Sequence, residues 1–214
     1  MFLYPHIIIE FLCLLFAFLF IRKAKDWWML FIPYLICVVI TETLGIYIML
    51  HRTISEDNYW VHNYYLPIYF AFSLYVLYKI CSPLFHVQKW IVAISIILAL
   101  SYLVESYRSG FKKLSADSFS LANAFFVILC CSYYYHLLKQ DNFIDIKKHA
   151  PFWIITGMLF FCFGSTVSYL FFDTLVQINI KYNLPVRQVI FIVLNFILYS
   201  CWGYAFLCKY RQKT

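Results

Sequence analysis

Glu10 and Glu42 are the side chains best placed to do chemistry, because each is a carboxylate set inside a long apolar segment, Leu3–Ile21 and Trp27–Met49. Burying a carboxylate at membrane depth costs on the order of 2–3 kcal/mol even on the lenient insertion scale. Such groups face a protein interior or a watery cavity, where they hold a proton, an ion or a ligand. Glu10 lies about seven residues from the start of its segment and Glu42 about seven from the end of the next. Since consecutive segments run antiparallel, both carboxylates come to one level, roughly 10 Å deep at 1.5 Å per residue. Two carboxylates at one level would hold a single proton between them, the arrangement that acid–base work uses.

Other polar residues fall at the same level. His6 is one turn from Glu10 on the same helix face, and Thr41 and Thr43 flank Glu42. Later segments bring His62 and Asn63, Ser101 and Glu105, Asn123, Ser165, Thr166 and Ser168, then Gln188 and Asn195. The opposite halves of the segments are richer in Phe, Leu and Ile. The pattern predicts a polar chamber above an apolar floor, with Glu10, Glu42, His62, Asn63, Glu105 and Asn195 as candidate ligand-binding residues. Each has a plainer alternative. Ser, Thr and Asn hold membrane helices together, Glu105 and His62 could sit at the headgroups, and the glutamates could be a structural hydrogen-bonded pair.

The elements that must position these groups are membrane helices. The 214 residues are 64% hydrophobic and 13% charged, so the bilayer serves as solvent for much of the surface. No tract remains for a soluble domain, and residues 1–214 read as one transmembrane domain. Seven runs can cross ~30 Å of hydrocarbon: Leu3–Ile21, Trp27–Met49, Tyr59–Ile80, Trp90–Ser106, Phe119–Leu138, Phe152–Leu175 and Val189–Cys208. The fold class expected is all-α, a polytopic bundle of seven transmembrane helices. Leu3–Ile21 has no basic residue before it and no small-residue cleavage site after it, so it reads as a span and not a signal peptide.

Placing the N-terminus outside puts eleven Lys and Arg on the cytoplasmic side and six outside, which selects an N-out, C-in orientation. The formal net charge of +7 then reflects topology and contact with anionic lipid. Basic residues split among short loops, without an aromatic-lined soluble face, argue against direct nucleic-acid binding. Trp27, Trp28, Tyr59, Trp60, Trp90, Trp153 and Tyr210 fall at segment ends, where an interfacial belt is expected. Gly157 and Gly164, seven apart, share a face suited to close helix packing.

Several chemistries are excluded. The eight cysteines form no CxxC or Cys/His zinc spacing, and they read as packing residues. The last span has no lysine for a retinal Schiff base, and no Walker loop, GxSxG or HExxH is present. Ser132 and His136 match only a fragment of an intramembrane zinc-hydrolase pattern. No cofactor and no metal-ligand set is expected.

Three strings carry a resemblance: Thr41-Glu42-x-Leu44-Gly45, Phe152-Trp153-Ile154-x-x-Gly157, and Asn195-x-x-x-Tyr199-Ser200 followed by Ala205-Phe206-Leu207-Cys208. Through them the chain resembles a group of small, uncharacterised bacterial seven-helix membrane proteins and, more loosely, the seven-helix sensor regions ahead of histidine kinases. The resemblance implies an integral protein of a bacterial inner membrane with a receptor-like or accessory role. No output domain follows the seventh span, so a signal would pass to a separate protein. The leading expectation is therefore a sensor or accessory module that binds a small ligand, lipid or partner. Its basic loop Lys147-Lys148 and tail Lys209–Lys213 would meet a cytoplasmic partner or anionic lipid. Two alternatives stay open: a channel, transporter or pore-forming accessory of a bacterial defence or CRISPR system, and a lipid-modifying enzyme using the Glu10/Glu42 pair.

Overall fold

The computed structural model describes residues 5–24, 26–51, 59–109, 115–140 and 145–212, with the side chains of Ser109 and Asp173 excepted. Leu3 of the first expected span, and Lys25, Arg52, Lys112, Lys113 and Lys213 of the charge count, lie outside the described residues. The described chain is all helical: α1 (Pro5–Ile21), α2 (Phe31–Leu50), α3 (Tyr59–Cys81), α4 (Gln88–Ser109), α5 (Ala116–Leu138), α6 (Ala150–Leu170), α7 (Phe172–Tyr182) and α8 (Val186–Arg211). A 3₁₀ turn at Trp27–Leu30 leads into α2, and another at Ile146–Lys148 precedes α6. Six helical stretches are long and apolar enough to cross a membrane, and Pro5–Ile21 is a shorter apolar helix beside them. This makes the chain a multi-pass membrane protein by length and composition.

Six of the helices close a ring in the order α1, α2, α3, α5, α6, α8, with α8 returning to α1. The fourth helix stands outside it, packed only against α3 and α5 among the larger contacts. The outer face of α4 presents Val92, Ile96, Leu100, Leu103 and Val104, as suits a helix with hydrocarbon on most sides. The closest seam joins α6 and α8, and glycine makes it possible. A Cβ built at Gly157 would lie 3.0 Å from Cys201 Cβ and 3.1 Å from the Leu198 carbonyl oxygen. Helices without a side chain at the crossing approach more closely, which is how membrane helices gain dispersion contacts.

The structure revises the expectation for residues 152–188. The apolar run does not continue as one span to Leu175: α6 stops at Leu170, Phe171 turns the chain, and α7 follows as a separate eleven-residue helix. Hydropathy alone merges them, because Phe171, Phe172, Leu175 and Val176 are as apolar as a span. Gln177 and Lys181, one turn apart, share a polar face that makes α7 amphipathic, and at eleven residues it is shorter than the helices long enough to cross a membrane. Asn183 ends α7 with φ 52°, a left-handed conformation that Asn tolerates, and Pro185 then caps α8.

Within α3, Pro67 has no N–H for the carbonyl of Asn63, four residues earlier. That carbonyl instead accepts the Tyr102 hydroxyl of α4 at 2.9 Å. The Asn63 amide oxygen accepts the Ser115 backbone N–H at 3.0 Å, just before α5. The gap in the helix ladder thus becomes the point where α4 and the start of α5 are tied to the ring.

The end of the bundle away from the α1 start is closed by aromatic rings. Phe31 meets Phe72, Trp202 and Phe206 edge-on, with centroids 5.0, 5.1 and 5.3 Å away. Trp28, expected as an interfacial anchor, is instead packed into this plug with 3% exposure, and Lys209 lies over its ring. At the same end Lys209 pairs with Asp26 at 3.4 Å, and Trp153, Tyr204 and Cys208 all donate to the Lys147 carbonyl oxygen.

Candidate functional site

Inside the ring is a cavity of about 410 Å³, walled by every ring helix and by no residue of α4. Helical periodicity explains which side chains reach it. On α1 the inward stripe is Glu10, Cys13, Leu14, Ala17 and Ile21, so Glu10 faces the interior and His6 stands one turn nearer the mouth. On α2 the stripe Tyr34, Val38, Thr41 brings Glu42 to its edge, and on α3 His62, Leu66 and Tyr69 line up. The last helix contributes Arg187, Gln188, Phe191, Ile192, Asn195, Leu198 and Tyr199.

Glu10 is the deepest acid. It is 1% exposed, and its Oε2 has no hydrogen-bond partner. A buried, unsatisfied acceptor costs about 1–3 kcal/mol, so folded proteins rarely keep one without a use. Glu42 is half-buried nearer the mouth, where its Oε2 lies 3.9 Å from His6 Nε2. His6, Glu42 and Glu10 form a continuous polar strip on the α1–α2 wall.

The opposite wall and floor are aromatic. Tyr34 stacks on Phe72 with centroids 3.7 Å apart, and its hydroxyl bonds Tyr65 at 2.7 Å. The Tyr69 hydroxyl donates to Asn123 Oδ1 at 2.6 Å, and Asn123 Nδ2 donates to Ser165 Oγ at 3.0 Å. That chain stitches α3, α5 and α6 together and presents the Tyr69 ring to the cavity floor. Asn123 and Ser165 therefore serve as interhelical glue.

Of the six residues singled out from sequence, Glu10, Glu42, His62 and Asn195 meet at this cavity. Asn63 and Glu105 do not line it. Asn63 is fully buried and occupied by the bonds that tie α4 and α5 to α3. Glu105, on the outer helix, reaches the start of α5, accepting from the backbone N–H groups of Asp117 (3.2 Å) and Ser118 (2.9 Å) and from the Ser118 hydroxyl (2.5 Å). A carboxylate there satisfies orphan N–H groups of the helix end and opposes its positive dipole. Depth along a segment could not distinguish these roles, because it carries no information on which helix leaves the ring.

Sequence reasoning passed over Arg187 and the tyrosines. Charge counting treats Arg187 as part of a connection, yet it begins α8 at the cavity mouth. Its guanidinium carbon lies 4.9 Å from the Phe172 ring centroid, 5.3 Å from Tyr169 and 5.6 Å from Phe191. Three rings hold the cation in place, while its buried Nε has no hydrogen-bond partner. Tyr34, Tyr65 and Tyr199 sit at mid-span, away from the interfacial belt that tyrosine usually marks. That displacement was the available signal.

No family model, curated protein or solved structure matches the chain. Function must therefore be argued from the cavity. Among the described residues no cluster of three His, Cys, Asp or Glu could hold a metal ion. His136 donates its Nδ1–H to the Ser132 carbonyl oxygen (2.9 Å) and stacks on Phe85, apart from the acidic strip.

Proposed function

We propose that the chain is a seven-helix membrane sensor or accessory module, N-terminus outside, whose chamber opens to the outer face and binds a small ligand. In this reading α1 is the first span, α7 lies along the outer interface, and occupancy is relayed to a separate cytoplasmic protein. The observation that carries it is the cavity walled by the ring helices, with Glu10 among its lining residues and one carboxylate oxygen of that side chain buried without a partner. Cavities of this size hold small ligands, and a few convergent polar groups in an apolar wall set their orientation.

The relay follows from α8, which runs without interruption from Arg187 at the mouth to Arg211 at the far end. A shift of that helix on ligand binding would be felt where Tyr204, Cys208 and Gln212 grip the Lys147–Lys148 backbone. The exposed Lys147 and Lys148 beside that grip suit an acidic protein partner or anionic lipid. The aromatic plug beneath Tyr34 favours binding over conduction, since Phe31, Phe72, Trp202 and Phe206 pack ring against ring at that end of the described bundle.

The test is thiol accessibility. His62→Cys in intact cells should react with a membrane-impermeant maleimide above the background of the parent chain. Reaction only in inverted vesicles would overturn the orientation, and no reaction from either side would overturn the chamber. Proteoliposomes carrying the protein should show no ion flux; sustained flux would replace binding by permeation.

A further inference from the structure

Resting on that reading, we propose that the chamber takes an elongated zwitterion, with its ammonium group at Glu10, beneath Glu42, and its anionic group at the mouth on Arg187. The charges lining the cavity are arranged for it. The acids lie on the α1–α2 wall, and the one fixed cation among the lining residues lies at the start of α8. Each end keeps a buried polar atom without a partner, Oε2 of Glu10 and Nε of Arg187. A buried polar atom finds a partner in nearly every folded protein. Two such atoms of opposite character, on residues that line one cavity together with the likewise unpartnered Ser115 hydroxyl, describe a ligand that donates at one end and accepts at the other.

The surfaces between them agree. Tyr34, Tyr65 and Tyr199 are among the lining residues, and an ammonium group is attracted to aromatic rings as well as to carboxylates. Val38, Leu66, Ile192 and Leu198 line the middle, which suits a methylene chain. Arg187 is twelve residues before Tyr199 on α8, about 18 Å along the axis. Subtracting the reach of the arginine and glutamate side chains leaves a ligand span on the order of 10 Å, that of an amino acid with its charges at opposite ends of a medium chain. Arg187 also borders a second recess of about 310 Å³ under α7, lined by Leu175, Val176, Asn179 and Pro185, so an anionic group can approach it from outside.

The experiment measures binding of three probes to the purified chain in maltoside micelles: 8-aminooctanoate, octylamine and octanol. The expected order is 8-aminooctanoate, then octylamine, then octanol, each step about tenfold or more. Glu10→Gln should erase the preference for octylamine over octanol, and Arg187→Gln the preference for 8-aminooctanoate over octylamine. Each comparison is a ratio on one variant, so a general loss of affinity does not imitate it. Equal binding of all three probes, or ratios unchanged in both variants, overturns the proposal. If His62→Cys still reacts from outside and 8-aminooctanoate protects it no better than octanol, the ligand class fails while the chamber stands. If His62→Cys does not react, the chamber itself fails. Phosphatidylethanolamine joins its ammonium and phosphate by only two methylenes, so competition by its nanodiscs but not by those of phosphatidylglycerol overturns the elongated spacing; competition by neither assigns the chemistry to a free solute.

Discussion

Glu10→Leu should make the unliganded protein more stable, an unusual outcome for removing a buried residue. Leucine has nearly the volume of glutamate and replaces a carboxyl group that is 1% exposed and has one oxygen unpartnered. The penalty on that oxygen is about 1–3 kcal/mol, and an apolar side chain does not carry it. Cys13 and Leu14, buried on the same stripe of α1, offer apolar surroundings for the new methyl groups. For a chain of this size 1 kcal/mol moves the melting midpoint by about 2–4 °C, so a rise of several degrees is expected. Tryptophan fluorescence during thermal melting in micelles reads it, because Trp28 and Trp202 are buried in the far-end plug. Asn123→Leu is the opposing control. It strips Tyr69 of its acceptor and should cost about 1–3 kcal/mol. If Glu10→Leu instead lowers stability by about 1 kcal/mol or more, the carboxylate is a bonded structural member. The proposed chamber would then lose the observation that carries it.

Glu105→Ala, which removes three hydrogen bonds at the start of α5, should cost about 1–2 kcal/mol and leave ligand binding unchanged, as melting and calorimetry on one preparation can show. Gly157→Ala should lower the melting midpoint more than Gly164→Ala, since the new methyl meets the α8 backbone at Leu198 in the first case and the flexible Leu194 side chain in the second. Burial holds the His149 imidazole below its ordinary value, so the unfolded chain takes up the proton first as pH falls. Its contribution to stability is intact above about pH 6.5 and declines below it. His149→Gln should flatten that part of a melting-midpoint profile between pH 7.5 and 5.

Much of the helix content was legible in the sequence because hydrophobicity is additive along a segment. The runs at Trp27–Met49, Tyr59–Ile80 and Phe119–Leu138 match helices to within a few residues, counting the 3₁₀ turn before α2. The one large discrepancy, Phe152–Leu175, arose where a short amphipathic helix begins with the same apolar residues that end a span. Counting 1.5 Å steps along antiparallel neighbours put Glu10 and Glu42 at one level, whereas in the structure Glu10 is 1% exposed and Glu42 is half-buried nearer the mouth.

The partners of each side chain at that depth were decided by the tertiary structure. Glu10 and Glu105 are both acids near one end of an apolar helix, yet one faces the cavity and the other caps α5. The difference lies in the position of α4 outside the ring, which follows from Tyr102 and Ser101 binding Asn63 and Ser118 across the helix seams. Composition alone determined that these helices seek a bilayer. Which faces turn inward depends on how closely particular pairs can approach: glycine at the α6–α8 crossing, and proline opening a carbonyl on α3 for a neighbour's hydroxyl. Burial in lipid rewards every apolar face alike, so only short-range packing and directional hydrogen bonds could choose among them.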